Sequence, residues 1–402
     1  MNLLTINSFD CSAQASGGVN QITATLDTYF THQCGINCYL GFFENMPLHF
    51  EPLPVIKGRI LLSRYFDEQA FAAFLRNNKI DIVQVNFLKK HNLKTIPQIY
   101  KVAHQCGAKV IYAFHMCPGF QSQTYGSWER VKYGWRYSDN AIAETKKWIL
   151  TKTQWLWKGI ARRALQPKYR TPYESCDKLV VLSQYYFPTY LHYAGLLRSD
   201  KMEAIGNALR FSDSATAQDV IHKQKTIIVV ARFDEDIKRI SLQLRTWREI
   251  ERMSQFSDWR LQVVGDGRDM QFYEYLVKTW HLQRVEFTGR QNPKEYYRKA
   301  SLFLMTSTAE GWPMVLMEAQ QMGVPVIAMD SFGSLHDIIS DGYNGRIVPN
   351  NDLEAFTSAI TGLMSDETMR QTMARNAIES CKRFELEKVV QRWLQLFKEL
   401  QK

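Results

Sequence analysis

Two glutamates, Glu310 and Glu318, flank the stretch Gly311-Trp312-Pro313-Met314-Val315-Leu316-Met317. Pro313 suits the first turn of a helix predicted over 314–322, where a missing N–H is no loss. The first N–H groups of such a helix have no internal partner, and its dipole is positive at that end. Together they make a seat for a diphosphate. Gly311 allows the backbone to turn tightly and come close to a ligand. Glu318 then lies two turns inside the helix, on the order of 8–12 Å along the axis from Glu310. That is too far to share a proton, but it suits the two ends of an extended ligand, such as a sugar and a ribose joined by a diphosphate. The same spacing also fits a surface helix with two solvated glutamates.

Other residues capable of chemistry fall at comparable places. Arg232 directly follows the apolar run Thr226–Ala231, and Lys238 comes six residues later. At the carboxyl end of a strand, these two cations could neutralise a diphosphate; solvated surface charge is the ordinary alternative. Between them Asp234-Glu235-Asp236 has the form of a metal-binding pair, but acidic loop residues are commonplace and no metal is expected. Gly265-Asp266-Gly267 marks a further turn after a strand, as does Gly17-Gly18 after the first strand. The glycine pair is not a dinucleotide fingerprint, since no Gly-x-Gly-x-x-Gly occurs. His115 sits just beyond the run Val110–Ala113, where ligands bind in open α/β sheets, although a lone histidine is often structural.

The elements that must position these residues alternate. Leu3–Ile6, Ile60–Leu62, Ile82–Val85, Val110–Ala113 and Leu179–Leu182 read as strands, with helical patterns at 68–77, 95–105 and 184–194 between them. A second alternation runs from Thr226 to Val348. Apolar runs separated by helices predict parallel sheets covered on both faces. The length of 402 residues suits two domains. The expected division is 1–206 and 207–384, with a polar linker over 210–225. A basic amphipathic helix over 385–402 is expected to pack back on the first domain.

Composition narrows the classes. The formal net charge is +10, which suits phosphorylated substrates or an anionic membrane surface. No zinc-finger or RNA-recognition signature supports nucleic acid as a partner. Seven scattered cysteines speak against a disulfide framework and for a reducing compartment. No apolar run approaches the roughly 20 residues that span a bilayer, and the first residues read as a strand rather than a secretion signal. Residues 128–170 stand apart: they carry eleven Lys or Arg, three Asp or Glu, and Trp128, Trp135, Trp148, Trp155 and Trp157. Basic residues with tryptophan suit a membrane interface; a solvated helical insertion with packed tryptophans is the alternative.

Taken in order, the blocks Val230-Ala231-Arg232 with Lys238, Val263 to Gly267, Val285 to Gly289, Glu310 to Glu318, Gly323 to Ala328 and Asp341 to Gly345 resemble the retaining, nucleotide-sugar-dependent glycosyltransferases of family four. In the first half only Gly17-Gly18-Val19, His115 and Ile205-Gly206-Asn207 look like family markers. The resemblance implies the GT-B fold, an α/β architecture of two Rossmann-like, doubly wound parallel-sheet domains facing across a deep cleft. It implies a sugar moved from a UDP- or GDP-linked donor to a carbohydrate or lipid-linked saccharide, with no metal or other cofactor.

It also implies roles. Arg232 and Lys238 would hold the diphosphate, Glu318 the ribose, and Glu310 with the backbone of Gly311, Trp312, Pro313, Met314 and Val315 the sugar and phosphate. Arg290 would lie near the base, Gly265 at the same edge, His115 beside the reacting bond, and Gly17 and Gly18 at the floor. Two departures are visible: Lys238-Arg239 replaces the usual Lys-Gly, and Asn207-Ala208 the usual Asn-Gly. The expected setting is cytoplasmic polysaccharide assembly, peripheral to the inner membrane face. The rival readings are a sugar-nucleotide epimerase of similar architecture and a non-catalytic sugar-nucleotide or membrane-binding module.

Overall fold

A computed structural model describes residues 1–10, 18–44, 51–63, 65–86, 95–123, 126–134 and 141–402. Gly17 and Trp135 therefore lie outside the described residues. The chain divides into two compact units. Unit 1 comprises residues 1–119, 159–208 and 384–402, and unit 2 comprises 120–158 and 209–383.

Unit 1 is built on seven parallel strands: β1 (Asn2–Phe9), β2 (Asn37–Glu44), β3 (Gly58–Leu61), β4 (Ile82–Asn86), β5 (Lys109–Phe114), β6 (Lys178–Val181) and β7 (Met202–Ala204). Their order is β3-β2-β1-β4-β5-β6-β7. Alternate residues of each strand face opposite sides, and here both sides are covered. Leu3, Ile82, Ile111 and Val180 pack with Ile22, Phe30, Trp393 and Phe397 of the helices Gly18–Cys34 and Leu386–Leu400. Their neighbours Leu4, Val83, Val110 and Leu179 pack on the other face with Phe71, Ile99 and Tyr190. Phe30 and Phe397 meet edge to face, with ring centroids 5.6 Å apart.

Unit 2 has six parallel strands: β8 (Thr226–Val230), β9 (Arg260–Val264), β10 (Val285–Gly289), β11 (Leu302–Met305), β12 (Val326–Asp330) and β13 (Gly345–Pro349). The order is β10-β9-β8-β11-β12-β13, that of a doubly wound dinucleotide-type sheet. Ile227, Val229, Leu261 and Val263 form its core with Leu244, Trp247 and Phe356.

Three expectations change. The stretch 210–225 is not a bare linker. It contains the helix Ala217–Ile221, closed by a capping box between Thr216 and Asp219. Lys223, half-buried next to it, donates to the carbonyls of Tyr297 and Met322. The basic region does not group as one insertion in the first domain: 120–158 belongs to unit 2 and 159–175 to unit 1. Within unit 2, Arg130 of the helix Trp128–Gly134 is ion-paired with Asp269 and Glu144, and Lys147 with Asp236. Part of the positive excess is thus neutralised inside the fold. Finally, β2 and β7 were absent from the sequence reading. β2 has no polar alternation because five of its eight residues are buried, and β7 is three residues long.

Candidate active site

The carboxyl end of the unit 2 sheet collects most of the residues singled out above. After β8 the chain enters a short helix, Glu235–Lys238. Arg239 then adopts a left-handed conformation, φ 49° and ψ 45°, before the helix Ile240–Glu251 begins. The loop after β11 is stitched to this turn. The Thr306 hydroxyl donates to the carbonyls of Lys238 and Arg239, 2.9 and 3.0 Å, and the Thr308 amide donates to Ile237. This stitching brings Lys238 Nζ to 2.5 Å from Glu310 Oε1, with both side chains less than one-fifth exposed.

Eight residues on, Glu318 is 3% exposed. Its Oε1 accepts from Arg210 Nη1 at 3.2 Å and its Oε2 from Tyr297 Oη at 3.3 Å. Burial pushes its carboxyl above the usual carboxylate range, and Arg210 opposes the shift. The helix that carries Glu318 is Met314–Gln321, with Pro313 as the residue preceding it. The Leu316 amide bonds the Pro313 carbonyl. The amides of Met314 and Val315 stand at the first turn, where an α-helix offers them no internal acceptor. Trp312 is buried, and its indole N–H donates to Met317 Sδ at 3.1 Å; its ring thus supports the turn from below.

Arg232 is 71% exposed along its side chain and touches Asp234 at 3.2 Å. The two aspartates of the acidic triplet are occupied by cations. Arg268 reaches Asp234 and Asp236, each at 2.7 Å, and buried Glu235 accepts from Ser241 and Tyr273. Burial raises the Glu235 carboxyl to about 7. Gly265 has a structural reason for its type. At φ 146° a Cβ there would stand 1.9 Å from the Ala231 carbonyl oxygen, so the turn after β9 presses against backbone. Arg290 is exposed, just past Gly289.

Comparison with known proteins fits this arrangement. Residues 213–380 match the model of the family described as glycosyl transferases group 1. A Campylobacter jejuni N-acetylgalactosaminyltransferase, named for a GalNAc-GalNAc-diNAcBac-PP-undecaprenol acceptor, is 28% identical over 58% of this chain and 62% of its own length. The amylovoran biosynthesis glycosyltransferase AmsD of Erwinia amylovora is 29% identical over 55% of this chain and 62% of its own. The matches thus span somewhat under two-thirds of these relatives. Among solved structures, HepE of Anabaena in complex with UDP has a TM-score of 0.68 at 14% identity, covering 99% of this chain and all of that one. Sucrose-phosphate synthase of Thermosynechococcus elongatus gives 0.69 at 19%, covering 100% and 99%. At those identities the likeness concerns fold, and that fold is GT-B.

Within the group 1 segment, the departure at Arg239 now has a physical description. A left-handed residue is where glycine is normally preferred. Arg239 holds that conformation while its guanidinium binds the carbonyls of Thr306 and Ser307 and the side chains of Asn350 and Asn351. Four contacts offset a local cost of roughly 1–2 kcal/mol. Sequence reasoning missed Arg210, Arg268 and Tyr297. Arg268 directly follows Gly265-Asp266-Gly267, so reading one residue further would have found it. Arg210 and Tyr297 carry no motif, and only folding brings them to Glu318.

His115 and Gly18 belong to unit 1. Gly18 is the first described residue of its helix, and among the described residues nothing lies within 4 Å of the position of a Cβ there. His115 follows β5, and its Nε2 lies 3.1 Å from Asn86 Oδ1. Asn86 donates from Nδ2 to Asn7 and Thr23, which fixes Oδ1 as the acceptor and His115 Nε2 as the donor. The remaining ring nitrogen, Nδ1, is then an acceptor, and it is buried without a partner among the described residues. Burial lowers the imidazole to about 4.

Proposed function

We propose that the chain is a retaining glycosyltransferase that moves a sugar from a nucleotide donor to a carbohydrate or lipid-linked saccharide in polysaccharide assembly. The observation that carries this reading is the cluster at the carboxyl end of the unit 2 sheet. Lys238 and Glu310 are paired at the approach to the helix Met314–Gln321, and Glu318 is held by Arg210 and Tyr297 about one turn inside it.

Breaking a sugar–phosphate bond places negative charge on the departing diphosphate. Lys238, Arg232 and the amides of Met314 and Val315 would meet that charge. Glu318 would accept from the ribose hydroxyls and Glu310 from the sugar, with Arg290 near the base. Cations and a helix start supply the stabilisation without a metal, and Asp234 and Asp236 are already engaged by arginines. Unit 1 would hold the acceptor, with His115 as a neutral acceptor toward it. UDP is the first donor base to try, since UDP is the nucleotide bound in HepE.

A second part of the proposal concerns the helix Ala141–Ser175. Ile142, Ile149, Leu150, Leu156, Trp157 and Ile160 are exposed and share one face at helical spacing. Lys146 and Arg163 are exposed beside them. Such a stripe suits the surface of an anionic membrane, where the acceptor's lipid would reside. Among the described residues no helix is long and apolar enough to cross a membrane.

The test is to screen nucleotide sugars for release of free nucleoside diphosphate, with and without a crude lipid extract as acceptor. Release that depends on the extract supports transfer. Release from no donor under either condition contradicts it, and conversion of the donor to an isomer without release favours an epimerase.

A further inference from the structure

Unit 2 contains a cavity of about 450 Å³ that the donor cluster does not use. One wall is the segment after Gly126, with Trp128 and Trp148. The other is formed by loops following β8, β11, β12 and β13, through Asp236, Thr308, Ser331 and Asn350. Ligands of open α/β sheets bind at the carboxyl ends of the strands, and the volume lies within the ~300–1,000 Å³ of small-molecule sites. Neither Arg232, Lys238, Glu310 nor Glu318 lines it.

The lining selects a chemistry. Trp128 and Trp148 stand with ring centroids 5.1 Å apart at 45°, and Trp128 is 48% exposed. An indole face of this kind takes an apolar surface. Around it lie three basic side chains, Lys152, Arg239 and Arg245, and three carboxylates, Glu129, Glu235 and Asp236. Arg245 already pairs with Glu129 at 3.3 Å. A diphosphate needs surplus positive charge, which this balance does not offer. A purely apolar ligand would take these charged pairs out of water and offer no hydrogen bond in return.

Arg239 donates to Oδ1 of both Asn350 and Asn351, at 2.8 and 2.7 Å. That orients each amide so that its NH₂ end remains to donate. A ligand with one C–H face and a rim of hydroxyls, each able to donate and accept, satisfies both halves of the lining.

We propose that this cavity is a saccharide-binding site, with a pyranose ring against Trp128 and its hydroxyls met by Asn350, Arg245 and Glu129. The binding does not depend on the glycosyl-transfer reading. Its role, to hold a further sugar of a long saccharide acceptor, separate from the reacting sugar assigned to unit 1, while the opposite face of the same helix rests on lipid, does rest on it. Trp148 and Lys152 line the cavity, whereas Ile149 and Leu156 belong to the exposed stripe.

The experiment is saturation-transfer NMR on the full chain with the methyl α-glycosides of glucose, galactose, N-acetylglucosamine and N-acetylgalactosamine at millimolar concentration. It is repeated on Trp128→Ala and Asn350→Ala. UDP binding and thermal melting are measured on each protein. The expected result is transfer to at least one glycoside, weakened about tenfold or more in both variants, with UDP binding unchanged in both and melting unchanged in Trp128→Ala. Transfer to none of the four, or equal transfer to the variants, overturns the proposal. So does loss of UDP binding in step with the glycoside. If UDP fails to bind the unaltered chain while glycoside binding behaves as expected, the donor reading falls and this site stands.

Discussion

Lys238 Nζ lies 2.5 Å from Glu310 Oε1 in a part-buried pair that joins the turn after β8 to the loop after β11. The pair sets a tension at the candidate donor site. The cation that would meet a diphosphate is shared with a carboxylate that repels one. Removing one partner should therefore have opposite effects on nucleotide affinity. Glu310→Gln frees Lys238 and is expected to leave nucleoside diphosphate binding equal or up to about tenfold tighter, while transfer falls at least about tenfold. Fluorescence-detected binding alongside a turnover assay reads both quantities. Unchanged turnover in Glu310→Gln would remove Glu310 from the chemistry.

Glu318 supports a second prediction. A nearly buried carboxylate with two side-chain partners is a position whose charge the fold does not need for solubility. In the proposed role it accepts from two ribose hydroxyls. Glu318→Gln retains the shape but replaces one acceptor by a donor facing Arg210 or Tyr297. Affinity for UDP should fall about ten- to hundredfold, whereas inorganic pyrophosphate, which lacks the ribose, should compete as before. Competition titrations separate the two ligands. Equal losses for both would point to collapse of the site instead of a lost ribose contact.

The buried acid Asp27, on the unit 1 helix Gly18–Cys34, gives a pH prediction. It is 1% exposed, and burial raises its carboxyl from 3.8 to about 8. The folded state therefore keeps a proton that the unfolded chain releases above its ordinary value. Its effect is a loss of stability as pH rises from about 4 toward 8, levelling off above that. Asp27→Asn removes the titration. The variant should gain roughly 1–3 kcal/mol over the parent at pH 7, with a smaller gain at pH 5. Urea melts at the two pH values measure the difference; a gap that narrows as pH rises would contradict the assignment.

For the helix Ala141–Ser175 the structure separates two kinds of residue that the sequence could not. Arg130 and Lys147 are committed to Asp269 and Asp236, whereas Ile149, Leu156 and Trp157 are exposed. Replacing those three by Ser should reduce sedimentation with anionic liposomes by about tenfold or more. Neutralising Lys147 should instead lower stability. If liposome binding survives the triple replacement, the stripe does not contact lipid.

These cases mark how far the sequence could be read. Most strands, β2 and β7 excepted, and the helices 68–77 and 386–400 were legible because apolar runs and 3.6-residue periodicity are local signals. The spacing of Glu310 and Glu318 was legible for the same reason, since one helix start sets it. What those glutamates touch was not. Lys238 reaches Glu310 only because Thr306 ties two loops together across 68 residues of sequence. Arg239 looked like a lost glycine, and its four side-chain contacts became visible only once the turn was closed. The tryptophans of 128–170 read as one interfacial group, yet Trp128 and Trp148 pair with each other while Trp155 and Trp157 face outward. Composition counts residues and does not say which face each one occupies.

The central claim is that unit 2 grips the diphosphate of a nucleotide sugar at Lys238 and Arg232. Calorimetric titration of UDP and GDP into the intact chain and into Lys238→Ala tests it most directly. The account predicts that at least one nucleotide binds with micromolar affinity and that Lys238→Ala weakens it by about tenfold or more, a loss of ~1.4 kcal/mol or greater, with unchanged melting. Binding of equal strength to both proteins would contradict it.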